Sequence, residues 1–320
     1  MCAFQRVTLK DKPILDPYFA AGRYENSEMC FTNAFLWGQG WDIAYDILDD
    51  AIAMMRATTP EGKLFFFPPL IKDKKDLCRA MRWGTDLAKA EGVPFEMRGV
   101  PDPVRELILS SCKHPERYEI CEDRNNWDYV YNASDLITLR GNRYHGKRNH
   151  LNQLRARTSF TYEALNEQNA RRCLENYYLW YERHKSEERM LRSEQSLNFE
   201  KDAIERGLAN WQALGLVGGM ILIEGEVQAF ALGEQLTEDM AVVHFEKANT
   251  EYPGLYALIN QQFAEHAFAD MTFINREEDM GLPGLRKAKE SYHPVRMIRK
   301  YIVTEKDSVH CACSDTGKDA

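Results

Sequence analysis

Apolar residues along the chain recur in two patterns. Short runs or alternations between turn residues predict strands, and recurrence at three and four residues predicts helices. The first half opens with a short strand around Arg6–Lys10 and helices near Pro13–Gly22 and Phe31–Gly38. The runs "DIAYDILDD", "AIAMMRA" and "LFFFPPL" then predict three strands. "DKKDLCRAMRWGTDLAKAEG" has helical spacing and stops at Gly92, as a left-handed C-cap would require. "PFEMRGV" predicts a strand, "DPVRELILSSC" a helix capped by Asp102, and "YEICED" with "WDYVYN" a closing pair of strands.

The second half follows the same order. "FTYEAL" is a strand, and amphipathic helices cover Gln168–Lys185 and Leu197–Ala213. "GGMILIEG", "EVQAFALGEQL" and "MAVVHFEKA" predict an antiparallel meander turning at Glu224-Gly225 and Glu238-Asp239. Then come a helix at "LYALINQQFAEHAF", the strand "MTFINRE", a helix from Gly284 and a closing strand "VRMIRKYIVTE". The repeated order predicts two tandem α/β domains; a single large mixed α/β domain is the alternative. The expected bounds are 1–135, a basic connecting segment 136–158, 159–305, and a flexible tail 306–320.

Composition narrows the class. A chain of 320 residues with 44% hydrophobic and 28% charged residues suits a globular protein with a substantial core. A net charge of −8 argues against a surface that coats nucleic acid, but not against a local basic patch. The eight cysteines are scattered without a C-x-x-C pair, as suits reduced thiols in the cytoplasm. Cys311 and Cys313 have a metal-like spacing but few ligands near them, so no metal is expected. No run reaches the length of a membrane span and the N-terminus lacks a signal pattern, so a cytoplasmic protein with at most peripheral membrane contact is expected.

The element order resembles the Gcn5-related N-acetyltransferase fold in tandem, each domain a mixed, mostly antiparallel sheet flanked by helices. Three stretches sharpen the likeness: "CFTNAFLWG", "LRGNRYHGKRNHLNQL" and "FINREEDMGLPGLRKAKESYHPVRMIRKY". Together they resemble the bacterial phosphatidylglycerol lysyltransferase C-terminal-like family, long labelled a domain of unknown function. That resemblance implies an aminoacyltransferase, with aminoacyl-tRNA as donor and a lipid head group or another amine or hydroxyl as acceptor. No further cofactor is required. Lys289, Tyr292, Pro294 and Arg299 match the ending of the lipid enzymes, whereas the charged run Arg276–Asp279 departs from their uncharged loop.

In regular strand geometry, His244 and Glu246 share one face while Val243 and Phe245 share the other. The acetyltransferase plan places this strand beside the acyl cleft, where Glu246 would be a general base and His244 a substrate contact. Asn275, Arg276, Glu277, Glu278 and Asp279 would lie where the next strand splays away. A carboxylate of Glu277 or Asp279 would hold the donor ammonium, and Asn275 would orient its carbonyl. Arg286 and Lys289, at adjacent helical spacing, would line the same site with Tyr292. The plain alternative is a helix start whose charges follow its dipole.

An acetyl-CoA enzyme would carry a glycine-rich loop after the Glu246 strand. Here "KANTEYPGLYALIN" has Gly254 alone, and Pro68-Pro69 removes amide donors at the matching place in the first half, which is expected to be a degenerate scaffold. No acid occurs from Leu136 through Tyr162, where Arg140, Arg143, Lys147, Arg148, Arg155 and Arg157 form a basic island. They would meet phosphates of tRNA, or pair with acids of the other half. An acetyl-CoA-dependent N-acyltransferase and a non-catalytic ligand-binding module remain open as readings.

Overall fold

The computed structural model describes residues 4–191 and 193–306, with backbone alone at residues 180 and 183–191. The tail beyond residue 306, with Cys311 and Cys313, lies outside the described residues. The chain divides into two compact units, and both are discontinuous. One takes residues up to Tyr24, Trp41–Trp127, and the chain from Arg299 onward; the other takes Glu25–Gly40 and Asp128–Ile298. Each carries its own mixed sheet flanked by helices, in keeping with the two α/β domains that the repeated pattern predicts. Among the described residues no helix is long and apolar enough to cross a membrane.

In the first unit the strand order is Gln5–Arg6, Ala44–Leu48, Ile52–Thr58, Leu64–Phe66, Glu96–Pro101, Lys300–Glu305, Tyr118–Glu122, with Leu70–Ile71 added beside Ile52–Thr58. Its core joins Met54, Phe66, Phe95, Met97, Val100 and Val303 to Leu77, Ala80, Met81 and Ala88, the apolar stripe of helix Leu77–Ala90. Helix Asp102–Ser111 is capped by Pro101, so Asp102 is its first residue rather than its cap.

The second unit orders its strands Arg296–Ile298, Asp128–Asn132, Phe273–Asn275, Met240–Ala248, Glu226–Gln235, Val217–Ile223, Phe160–Ala164. Helix Leu255–Ala267 and the segment from Leu136 to Leu154 cover one face, burying Leu136, Leu151, Leu154, Leu258 and Phe263 against Ile221, Ala241, Val243 and Ile274. Helices Phe31–Trp37, Ala170–Leu191 and Glu194–Leu214 cover the other, where Tyr177 meets Phe230 and Trp37 meets Phe245.

The structure redraws three expectations. "YEICED" and "WDYVYN" do not pair with each other: Tyr118–Glu122 joins Lys300–Glu305, whereas Asp128–Asn132 sits between Phe273–Asn275 and Arg296–Ile298. The reason is burial, because Asp128, Tyr129, Val130 and Tyr131 are all solvent-free and such a strand needs neighbours on both edges. The closing strand "VRMIRKYIVTE" is likewise two strands, one for each sheet. The basic segment 136–158 does not connect domains; its apolar residues make it part of the second unit's core.

Two backbone features position the site. Met240–Ala248 and Phe273–Asn275 run parallel but pair only from Met240–Phe273 to Val242–Asn275, after which the strands part. One step further, Leu232 pairs with Phe245 but Gly233 pairs with Val243, so His244 is the extra residue of a β-bulge. The bulge resets the alternation. Glu246 therefore faces Asn260 of helix Leu255–Ala267, on the side of Val243, while His244 faces Cys30 beside helix Phe31–Trp37. The shared face expected for His244 and Glu246 does not exist.

Gly233 allows the strands this close approach, since a Cβ there would lie 2.3 Å from the Val242 carbonyl oxygen. A backbone atom cannot swing aside. Gly233→Ala is expected to cost about 1 to 3 kcal/mol in urea unfolding with an unchanged m-value.

Candidate functional site

Arg276 is the first residue beyond the parting strands and reaches back across them. Its Nη2 donates to both carboxylate oxygens of Glu246 at 3.0 and 3.2 Å. Its guanidinium lies 4.8 Å from the ring centroid of Tyr292 and 5.7 Å from that of Tyr131, so cation–π attraction supplements the ion pair. Burial by itself would favour the neutral guanidine; the Glu246 charge outweighs it and holds Arg276 above its ordinary value. Asn260 donates to Glu246 at 3.1 Å. Two buried atoms of this group, Arg276 Nη1 and Asn260 Oδ1, meet no partner among the described residues.

Lys147, half-buried, adds a second cation, its Nζ 3.8 Å from the Tyr292 ring centroid. Burial and then the Arg276 charge lower it to about 8, with Glu246 opposing. This residue, expected on a phosphate-binding surface, thus joins the Glu246 cluster. Tyr131 and Tyr292 remain protonated because burial raises both.

The rest of the acidic run and the helix after it are turned on each other. Asn275, fully buried, donates to Glu25 O and to Asp128 and accepts from Glu277 N at 2.7 Å. Glu277 holds a left-handed backbone, φ 57°, costly for a side-chain-bearing residue and stabilised here by that Asn275 bond. Asp279, also fully buried, accepts from Tyr129 at 2.6 Å, from Arg286 and from Gly281 N. Lys289 donates to the carbonyls of Arg276 and Glu277; burial first, then Arg276, lower it to about 8, while Glu278 and Glu277 oppose. Arg286 and Lys289 therefore tie down the loop that precedes their helix, and Asn275 and Asp279 are fully engaged in the same task.

His244 lies on the opposite face, with Nδ1 2.9 Å from Glu277 and Nε2 3.0 Å from Glu234. Burial would lower its pKa; Cys30, Glu234 and Glu277 outweigh that and raise it well above the ordinary histidine value. Of the remaining basic residues, Arg143 pairs with Asp135, Arg148 caps the carbonyls of Leu139 and Gly141, and Arg155 reaches Gln261. Arg140 and Arg157 are exposed. Residues that sequence reasoning missed, Cys30, Glu25, Tyr131, Asp128, Glu234 and Asn260, come from four separate elements or segments. The buried strand Asp128–Asn132 carries the clearest overlooked signal, tyrosines alternating with Asp128 and Val130.

Acid should release the loop. Burial alone would raise the Asp279 carboxyl, but Arg286, Tyr129 and Gly281 hold it down at about 2, against 3.8 ordinarily. A depressed carboxylate contributes stability that is present above the unfolded value and lost as pH falls through the folded one. Wild-type stability should therefore fall between about pH 4 and 2, and Asp279→Asn should remove that step. At pH 7 the substitution should cost about 2 to 3 kcal/mol, short of a fully buried pair because Arg286 is a third exposed.

A conserved protein of unknown function from Bacteroides thetaiotaomicron is 32% identical, and the likeness covers 96% of this chain and 100% of that one at a TM-score of 0.86. The structure of L-PGS from Bacillus licheniformis is 16% identical over 93% of each chain, with a TM-score of 0.64, a likeness of fold. No curated protein matches the chain. Residues 19–304 match the family described as phosphatidylglycerol lysyltransferase, C-terminal, and the chain belongs to that family.

Proposed function

We propose that the protein transfers an aminoacyl group from aminoacyl-tRNA to an amine or hydroxyl acceptor, with the chemistry where strands Met240–Ala248 and Phe273–Asn275 part. The observation that carries this reading is the pair of buried, unpartnered atoms beside Glu246: a donor, Arg276 Nη1, and an acceptor, Asn260 Oδ1. Buried polar groups are rarely left unmade, so a ligand with matching polarity is favoured there. An aminoacyl ester has a carbonyl oxygen next to an α-ammonium. Its ammonium suits Glu246 and Asn260, and its carbonyl suits Arg276, which would also stabilise the oxyanion formed on attack.

Lys147 is the proton acceptor in this scheme. Neutral above about pH 8, it takes the proton from the attacking acceptor and passes it to the ribose oxygen of tRNA as the ester bond breaks. Glu246, already paired with Arg276, serves as anchor rather than base. Because the ester is already activated, positioning supplies much of the remaining rate. The family description favours a lipid head group as the acceptor to try first. Exposed Arg140 and Arg157, with Arg143 and Arg155, offer a surface for tRNA phosphates. The acetyl-CoA alternative is weakened at Gly254: its φ is 97°, and a Cβ there would lie 2.8 Å from the His150 carbonyl oxygen. Main chain thus packs at the helix start where a pyrophosphate would bind.

The test is release of labelled aminoacyl groups from tRNA to phosphatidylglycerol vesicles or to soluble amines, with acetyl-CoA as the rival donor. Glu246→Gln and Arg276→Lys should each lower kcat/KM about 100-fold or more. Turnover that requires acetyl-CoA, or equal binding of charged and uncharged tRNA with no transfer, would overturn the reading. The rate should rise with pH and level off above about 8. Lys147→Arg, always charged, should abolish that limb together with most of the activity.

A further inference from the structure

Behind the Glu246 face is a second cluster that the transfer reaction does not use. Cys30 precedes helix Phe31–Trp37, Glu234 lies near the end of strand Glu226–Gln235, and His244 is the bulged residue of Met240–Ala248. One ligand atom from each lies within 4.8 Å of the others. The His244 side chain is 2% exposed and Glu234 13%. The Thr32 hydroxyl is buried beside Glu234 and favours its ionised form.

We propose that Cys30, Glu234 and His244 bind a divalent metal ion of the zinc class, with Glu277 orienting the histidine from behind. Thiolate, imidazole and carboxylate are the donor types zinc selects, and in a tetrahedral site such ligand atoms stand roughly 3.5 Å apart, a contraction side-chain rotation can supply. Nδ1–H donated to Glu277 leaves Nε2 to face the metal, the second carboxylate arrangement that fixes metal-binding histidines. Cys30 would bind as the thiolate and His244 through an unprotonated Nε2, so binding releases protons. With three protein ligands, a water molecule would complete the tetrahedron.

The site is structural in this reading. Residues Glu25–Gly40 are remote in sequence from the rest of their unit, and Cys30 is the ligand that segment contributes. The metal would fasten the segment to the central strands. It stands independently of the aminoacyl reading, since its ligands lie on the opposite face from Glu246.

The experiment is cobalt and zinc titration of the full chain under reducing conditions, together with metal analysis of protein purified from zinc-supplemented culture. One equivalent of cobalt should bind with a near-ultraviolet thiolate-to-metal band, displaced by zinc, and a chelator should lower Tm. Cys30→Ser should lose the band, while Cys173→Ser, a buried thiol elsewhere in the unit, should retain it. Glu277→Gln, the milder change if Cys30→Ser fails to fold, should weaken binding about 10- to 100-fold. Wild-type protein that shows no thiolate band by either route, or a band that survives Cys30→Ser, would overturn the proposal and leave the cluster a closed hydrogen-bond network.

Discussion

The second unit is organised around one buried guanidinium. Arg276 leaves its strand at the point where the parallel pairing ends, and a charge in that position is tolerated only because Glu246 and two tyrosine rings receive it. The loop after it must then be held in a strained path. Asn275 and Lys289 bind its backbone, while Arg286 and Tyr129 bind the Asp279 carboxylate. The acids and bases that alternate so sharply in sequence are thus largely one internal set of bonds. Beside Glu246, Arg276 Nη1 and Asn260 Oδ1 remain unmatched among the described residues.

The bulge at His244 gives a single strand two unlike faces. Without it, Glu246 and His244 would share one face of the strand. With it, Glu246 meets Asn260 and Arg276, and His244 meets Glu234, Glu277 and Cys30. Bulges next to functional sites commonly re-aim a side chain in this way. The close approach at Gly233 shows how tightly this one is built.

Much of this protein was legible in residue order. Helix Leu77–Ala90, the meander from Val217 to Ala248 and helix Leu255–Ala267 follow directly from local periodicity, because a helix or hairpin depends on neighbours a few residues away. The importance of the Arg276–Asp279 run was visible for the same reason: charges at a strand end are a local anomaly. The sequence by itself therefore determined most of the elements, their tandem order and the place where charge concentrates.

Tertiary structure decided the rest. It placed Asp128–Asn132 and Lys300–Glu305 in sheets other than those their positions suggested, since pairing depends on which edges remain unsatisfied. It moved Lys147 from a basic surface to the side of Tyr292, and brought Cys30 to His244 across more than two hundred residues of chain. It also split His244 from Glu246, because an inserted residue in one strand shows only in the register with its partner. Such contacts are set by packing between segments, which no local pattern records.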